Sequence, residues 1–101
     1  MRNEGHMTTT DLIPTSRELV TLTREGWGMT KEAFGELLGF TGMFVGQVEH
    51  ASRKFSDKDI EAGCTHPDEQ VRRFWQAYRT ARRHEQDVAI IEQAITKEIA
   101  V

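Results

Sequence analysis

The stretch that decides the fold is residues 29–50, which read MTKEAFGELLGFTGMFVGQVEH. Thr30 precedes a segment with apolar residues at helical spacing, and Gly39 follows it at the place where a left-handed residue ends a helix. Thr41 then precedes a second segment of the same kind, which ends near His50. The pattern predicts two short helices, over 31–38 and 42–50, that meet through a tight turn.

These two segments meet the requirements of a helix-turn-helix. Gly35 is a small residue that allows the next helix to cross closely, and Gly39 tolerates the positive φ that the turn needs. The apolar residues expected to lock the two helices together are Phe34, Leu38, Val45 and Val48. An ordinary αα-hairpin has the same requirements, so spacing alone leaves both interpretations open.

Two further capping patterns lie on either side of this segment. Thr15 and Glu18 have the spacing of a capping box, which predicts that a helix begins directly after Thr15. Ser56 and Asp59 form a similar pair, and we expect the short helix that follows them to end at Gly63.

The last part of the chain, residues 65–101, is predicted to form one long helix or a pair of helices. Pro67 is expected at the first helical position, and no glycine or proline follows it. Glu85 interrupts the apolar stripe, so a break or a change of packing partner is expected near 84–87. Because no segment shows the alternation of a strand, the predicted fold class is all-α.

The sequence contains no pattern typical of a catalytic or metal site. The single cysteine, Cys64, has no second cysteine to pair with, and the four histidines have no spacing typical of metal ligands. No Gly-rich phosphate loop or nucleophile motif is present. We therefore expect that the protein is not an enzyme and that it holds no metal and no cofactor.

Composition and apolar runs bear on where the protein acts. The chain has 101 residues, which suffice for one domain and an extension. Its longest apolar run, 88–91, is too short to span a membrane, and residues 1–7 lack the apolar core of a secretory signal. We expect a cytoplasmic protein that does not associate with membranes.

The charge is unevenly distributed along the chain. The formal net charge is -3, yet the segment 71–84 carries five arginines and no carboxylate. On a helix, Arg72, Arg79 and Arg83 fall on one face with Arg73 beside them, which predicts a surface that contacts phosphates. A solvated helix face whose arginines cover core aromatics is the other interpretation.

Three motifs at fixed offsets carry a family resemblance. They are Thr-Lys at 30–31, Leu-Leu-Gly-Phe-Thr at 37–41 and Val-Gly-Gln-Val-Glu at 45–49, followed by Ala-Ser-Arg-Lys-Phe-Ser at 51–56. Together they resemble the lambda-repressor-like (XRE, Cro/CI type) helix-turn-helix family. The likeness covers about residues 17–62, roughly half of the chain, so the expected fold is such a domain followed by the terminal helix or helix pair.

The resemblance implies a DNA-binding domain over 14–64, which reads the major groove with the helix at 42–50. The residues implied at the bases are Thr41, Gly42, Met43 and Gln47. Those implied at phosphates are Lys31, Arg53 and Lys54, and the arginines of 65–101 would extend this set. Among the base contacts, Gln47 has the amide that can read adenine.

The chain ends in an apolar stripe at helical spacing. Its members are Val88, Ile91, Ile95 and Ile99. We expect this stripe to form a symmetric dimer contact, because two-fold helix-turn-helix proteins bind two half-sites. The other interpretation is that the stripe folds back as the last helix of a single core.

The predicted organisation is a mobile tail at 1–13, the domain at 14–64 and a helical extension at 65–101 that carries the basic face and then the dimer segment. The predicted function is a sequence-specific double-stranded DNA-binding transcriptional regulator of bacterial or phage type. The alternative is a helix-turn-helix scaffold used as a protein-interaction module, an antitoxin or an inhibitor of a host protein, with Met43 and Phe44 as its apolar anchor.

Overall fold

A computed structural model describes residues 14–99, with side chains described for 14–95. The predicted mobile tail at 1–13 lies outside the described residues, and so does the side chain of Ile99. The described residues form five helices and no strand, so the predicted all-α class is confirmed. The helices are α1 (Ser16–Gly26), α2 (Lys31–Leu38), α3 (Gly42–Glu49), α4 (Asp57–Gly63) and α5 (Glu69–Ile99).

Both predicted capping boxes are formed. The backbone N–H of Glu18 donates to Thr15 Oγ1 at 3.1 Å, and the Thr15 N–H donates to Glu18 Oε1 at 3.0 Å. At α4, the Asp59 N–H donates to Ser56 Oγ at 3.1 Å, and the Ser56 N–H donates to Asp59 Oδ2 at 3.2 Å. Each box satisfies backbone donors at a helix start, which fixes where the helix begins.

The start of α5 differs from the prediction. The helix begins at Glu69, and Asp68 caps it by accepting the Val71 N–H at 3.0 Å. Pro67 therefore precedes the cap, and the prediction that it occupies the first helical position was wrong. An aspartate is a better N-cap than a neighbouring proline, because its carboxylate accepts a free N–H. The helix runs unbroken through 84–87.

The turn between α2 and α3 forms through the two predicted glycines. Gly39 has φ +92°, which a residue with a side chain rarely adopts. A Cβ on Gly35 would lie 2.7 Å from the carbonyl oxygen of Phe40, so a larger residue there would push the turn away. Thr41 then caps α3 by accepting the Phe44 N–H at 3.0 Å.

One hydrophobic core joins all five helices. Its buried members are Val20, Phe34, Val45, Val48, Phe55, Ile60, Val71, Phe74, Trp75 and Tyr78. Phe55 comes from the loop between α3 and α4, and its ring centroid lies 4.8 Å from Trp75 and 5.3 Å from Tyr78. The first part of α5 is thus packed against the same core as α1 to α4.

Candidate nucleic-acid interface

Helix α3 has one buried side and one solvent side. Val45 is fully buried and Val48 is 2% exposed, so they fix the rotation of the helix about its axis. Met43 is 75% exposed and Gln47 is half-buried on the opposite side. Thr41 is exposed, but its hydroxyl oxygen already accepts the hydrogen bond that caps α3. The solvent side of α3 therefore carries a methionine and an amide.

Side chains from the start of α2 cover both glycines of α3. A Cβ on Gly42 would lie 2.9 Å from Glu32 Cγ, so Glu32 lies against the first turn of α3. A Cβ on Gly46 would lie 3.6 Å from Lys31 Cδ and 3.8 Å from Lys31 Nζ. Lys31 therefore runs along the surface of α3, while a carboxylate-bearing side chain lies at its N-terminus. An anion approaching α3 would meet one charge of each sign.

The predicted apolar pair on α3 is divided between solvent and core. Phe44 stacks on Phe40 with ring centroids 5.0 Å apart and an interplanar angle of 15°, and it also lies 5.5 Å from Phe55. Phe44 thus belongs to the edge of the core. Met43 is the member of the pair that a partner molecule would meet.

A largely buried ion pair joins the end of α1 to the end of α3. Arg24 Nε donates to Glu49 Oε2 at 2.8 Å, and the side chains are 14% and 7% exposed. Arg24 also donates to the carbonyl oxygen of Met29 at 3.0 Å. The hydrogen bond with Glu49 raises the pKa of Arg24, so the guanidinium stays charged. No sequence pattern indicates this pair, which fixes α3 against α1.

The loop after α3 is anchored by one carbonyl group. The Gln47 carbonyl oxygen accepts from the backbone N–H of Ser52 at 2.9 Å and of Arg53 at 3.2 Å. Ala51 takes a positive φ of 66° to make this turn. Arg53 and Lys54 follow it as exposed residues, so the backbone of the loop presents both cations next to the end of α3.

Two of the arginines on α5 are paired with acids just outside the acid-free run. Arg73 lies 2.8 Å from Glu69, and Arg82 lies 3.1 Å from Glu85. Helical neighbours at i+3 and i+4 meet on one face, so an acid before or after the run reaches into it. The run is therefore less positive than its composition indicates.

The remaining arginines of α5 differ in exposure. Arg72 is half-buried and donates to the carbonyl oxygen of His66 at 2.9 Å, whereas Arg83 is exposed. Arg79 is half-buried, and its Nε is a buried donor without a hydrogen-bond partner among the described residues. Arg83 is the member of this set most accessible to a phosphate.

The apolar stripe at the end of α5 lies on the surface of the single chain. Val88 is 38% exposed, Ile91 57% and Ile95 52%, and the adjacent Ile90 is 63% exposed. These side chains take no part in the core within the described residues. Nothing in the described part of the chain covers them, and the dimer contact stays a prediction.

Comparison with known proteins gives no match: no protein-family model, no curated protein and no solved structure matches this chain. Within residues 14–95, no group of three His, Cys, Asp or Glu side chains is placed to hold a metal ion. No helix in the described part of the chain is long and apolar enough to cross a membrane.

Proposed function

We propose that this protein is a cytoplasmic, sequence-specific double-stranded DNA-binding protein of the lambda-repressor-like type, a transcriptional regulator of bacterial or phage origin. The observation that carries the proposal is the arrangement of α3. Its inner side is fixed in the core by Val45 and Val48, and its outer side is open to solvent. A rigid helix with a free side is what insertion into the major groove requires.

The dimensions of α3 suit this role. An α-helix with its side chains is about 10–12 Å in diameter. The major groove of B-DNA is about 12 Å wide and admits a helix. On this helix, the amide of Gln47 would form paired hydrogen bonds with adenine, and Met43 would contact a thymine methyl group.

Cations lie beside the second half of α3 and beyond its end. Lys31 lies along α3 at Gly46, and Arg53 and Lys54 follow the end of the helix. These three side chains would contact backbone phosphates and fix the register of α3 in the groove. The chain as a whole has a net charge of -3, so its general attraction to DNA is weak.

A homodimer would compensate for this weak attraction. Two chains joined through the stripe at the end of α5 would engage two half-sites together, and the second contact would then be intramolecular. The exposed side chains of Val88, Ile91 and Ile95 are apolar surface of the kind that such a contact buries. DNA and a second copy of the chain are thus the proposed partners.

A second candidate function is a protein-interaction module with the same scaffold, an antitoxin or an inhibitor of a host protein. The observation that favours it is the 75% exposure of Met43, together with Glu32 at the start of α3. A flexible apolar side chain beside a carboxylate suits a protein surface as well as a base pair.

Enrichment of duplexes from a random pool tests the DNA proposal. We expect a preferred site to emerge, and Gln47→Ala to weaken binding to that site by about 1–3 kcal/mol with relaxed preference at one base pair. Gln76→Ala is the matched control, because Gln76 is an exposed glutamine on α5. An unenriched pool, or equal affinity of the two variants, would contradict the proposal and favour the protein-interaction module.

A further inference from the structure

A pocket lies where the start of α1, the loop after α3 and the middle of α5 meet. Its volume is about 230 Å³. The charged side chains that line it are Arg17, Arg53, Lys54, Arg82 and Glu85. Val48 and Tyr78, which are 2% and 1% exposed, form its base. We call this cavity the basic pocket, because four of its five charged side chains are cations.

One oxyanion of the protein itself already lies in the basic pocket. The Ser16 N–H donates to Glu85 Oε2 at 2.7 Å, and Ser16 Oγ donates to Glu85 Oε1 at 3.0 Å. Arg82 lies 3.1 Å from the same Oε1. Burial of Glu85 raises its pKa, but the hydrogen bonds from Ser16 and Arg82 outweigh burial and lower it overall. The surroundings therefore favour negative charge at this position.

The carboxylate of Glu85 neutralises one of the four cations. It is paired with Arg82. The other three, Arg17, Arg53 and Lys54, are exposed, and within residues 14–95 none of them forms an ion pair. Three cations around the pocket therefore have no ion-pair partner among the described residues.

We propose that the basic pocket binds a phosphate group through Arg17, Arg53 and Lys54. Guanidinium and ammonium groups around one cavity match the charge and the several acceptor oxygens of phosphate. The volume is below the range of about 300–1,000 Å³ that larger ligands occupy, so a small anion fits it. The phosphate comes from a free phosphate compound or from the DNA backbone.

The two sources have different consequences. A free phosphate compound would engage Arg53 and Lys54, which are also the proposed contacts to DNA phosphates. It would then compete with DNA and regulate its binding, a consequence that rests on the proposed function. A backbone phosphate would instead add Arg17 to the DNA interface. Binding of a phosphate in the pocket is itself independent of DNA recognition.

Calorimetric titration of the full chain with pyrophosphate at low ionic strength tests the site. We expect saturable binding that Arg17→Gln and Lys54→Gln each weaken at least about tenfold, since each removes a charge-assisted contact. Lys58→Gln is the control, because Lys58 is exposed on α4 and does not line the pocket. Thermal unfolding checks that the variants are folded.

Anisotropy titration of the same variants with duplex DNA separates the two sources. Pyrophosphate binding that depends on Arg17 supports a free phosphate compound, and it does so even if no DNA binds and the proposed function fails. If pyrophosphate does not bind, and DNA binding is weakened by Arg17→Gln but not by Lys58→Gln, the phosphate in the pocket comes from the DNA backbone. If Arg17→Gln changes neither titration relative to Lys58→Gln, the proposal is overturned.

Discussion

The ion pair between Arg24 and Glu49 gives a prediction about stability that distinguishes its two partners. Replacing Arg24 with methionine leaves the Glu49 carboxylate, which is 7% exposed, without its cation. Replacing Glu49 with glutamine leaves Arg24 with the Met29 carbonyl oxygen at 3.0 Å and the exposed Glu25 at 3.7 Å. An orphaned buried charge is costly, so the arginine variant should be the less stable one.

The magnitudes follow from burial. Breaking a buried pair by removing one partner costs about 3–5 kcal/mol, and slight hydration of this pair places Arg24→Met near the lower end, at about 3 kcal/mol. Glu49→Gln keeps a neutral acceptor for Arg24 and should cost about 1 kcal/mol. Replacing both residues with methionine removes both charges, so the double variant should be more stable than Arg24→Met by about 2 kcal/mol.

Urea unfolding at neutral pH measures these differences, with the fluorescence of the buried Trp75 as the probe. The double variant is the control for lost packing, because it restores apolar volume at both positions. Equal destabilisation by Glu49→Gln and Arg24→Met would contradict this expectation. A double variant that is no more stable than Arg24→Met would also contradict it, because removing the second charge would then bring no relief.

Three more predictions concern packing, pH and association. A Cβ on Gly63 would lie 2.1 Å from Trp75 Cγ. Gly63→Ala should therefore lower the free energy of unfolding by about 1–3 kcal/mol, and an unchanged melting temperature would contradict this packing. The pKa of Glu85 lies below its ordinary 4.5, so the Glu85 carboxylate stabilises the folded chain above that pH. This stabilisation is lost as the pH falls through the folded-state pKa. In parallel thermal melts, Glu85→Gln should therefore lose less stability between pH 6 and acidic pH than the wild type does. An equal loss in both proteins would show that protonation of Glu85 is not linked to folding. Ile91, which is 57% exposed, belongs to the proposed dimer stripe, so Ile91→Glu should yield monomers in sedimentation at unchanged helicity, and a wild-type chain that is already monomeric would refute the dimer.

The bounds of α2 and the starts of α1, α3 and α4 could be predicted because their signals are local. Thr15, Thr30, Thr41 and Ser56 each accept a hydrogen bond from an N–H three residues later. Gly39 ends α2 through its own backbone conformation. Such contacts depend on a few neighbouring residues, so sequence patterns predict them.

Contacts between distant residues left no comparable signal. Phe55 stands in a polar stretch, and it is 3% exposed because Trp75 and Tyr78 of α5 pack against its ring. Glu85 only interrupts a stripe in the sequence, yet it binds Ser16, which is 69 positions away. The basic pocket depends on this meeting of α1, α5 and the loop after α3, so its residues could not be grouped from spacing.

The candidate DNA-contacting residues could be located by pattern, but their surroundings could not. Lys31 and Gly46 belong to different helices, and the packing of α2 on α3 brings the lysine side chain over the glycine. The same packing places Glu32 at Gly42, so a carboxylate-bearing side chain lies beside the first turn of α3.

The central claim is that this protein binds double-stranded DNA through α3 and the cations around it. The most direct measurement is a fluorescence-anisotropy titration with a mixed-sequence duplex at low and at near-physiological salt. Phosphate contacts by Lys31, Arg53 and Lys54 predict that the logarithm of the affinity falls with the logarithm of salt concentration with a slope of about -2.7 per chain. Absence of binding at low salt, or an affinity that does not change with salt, would contradict the claim.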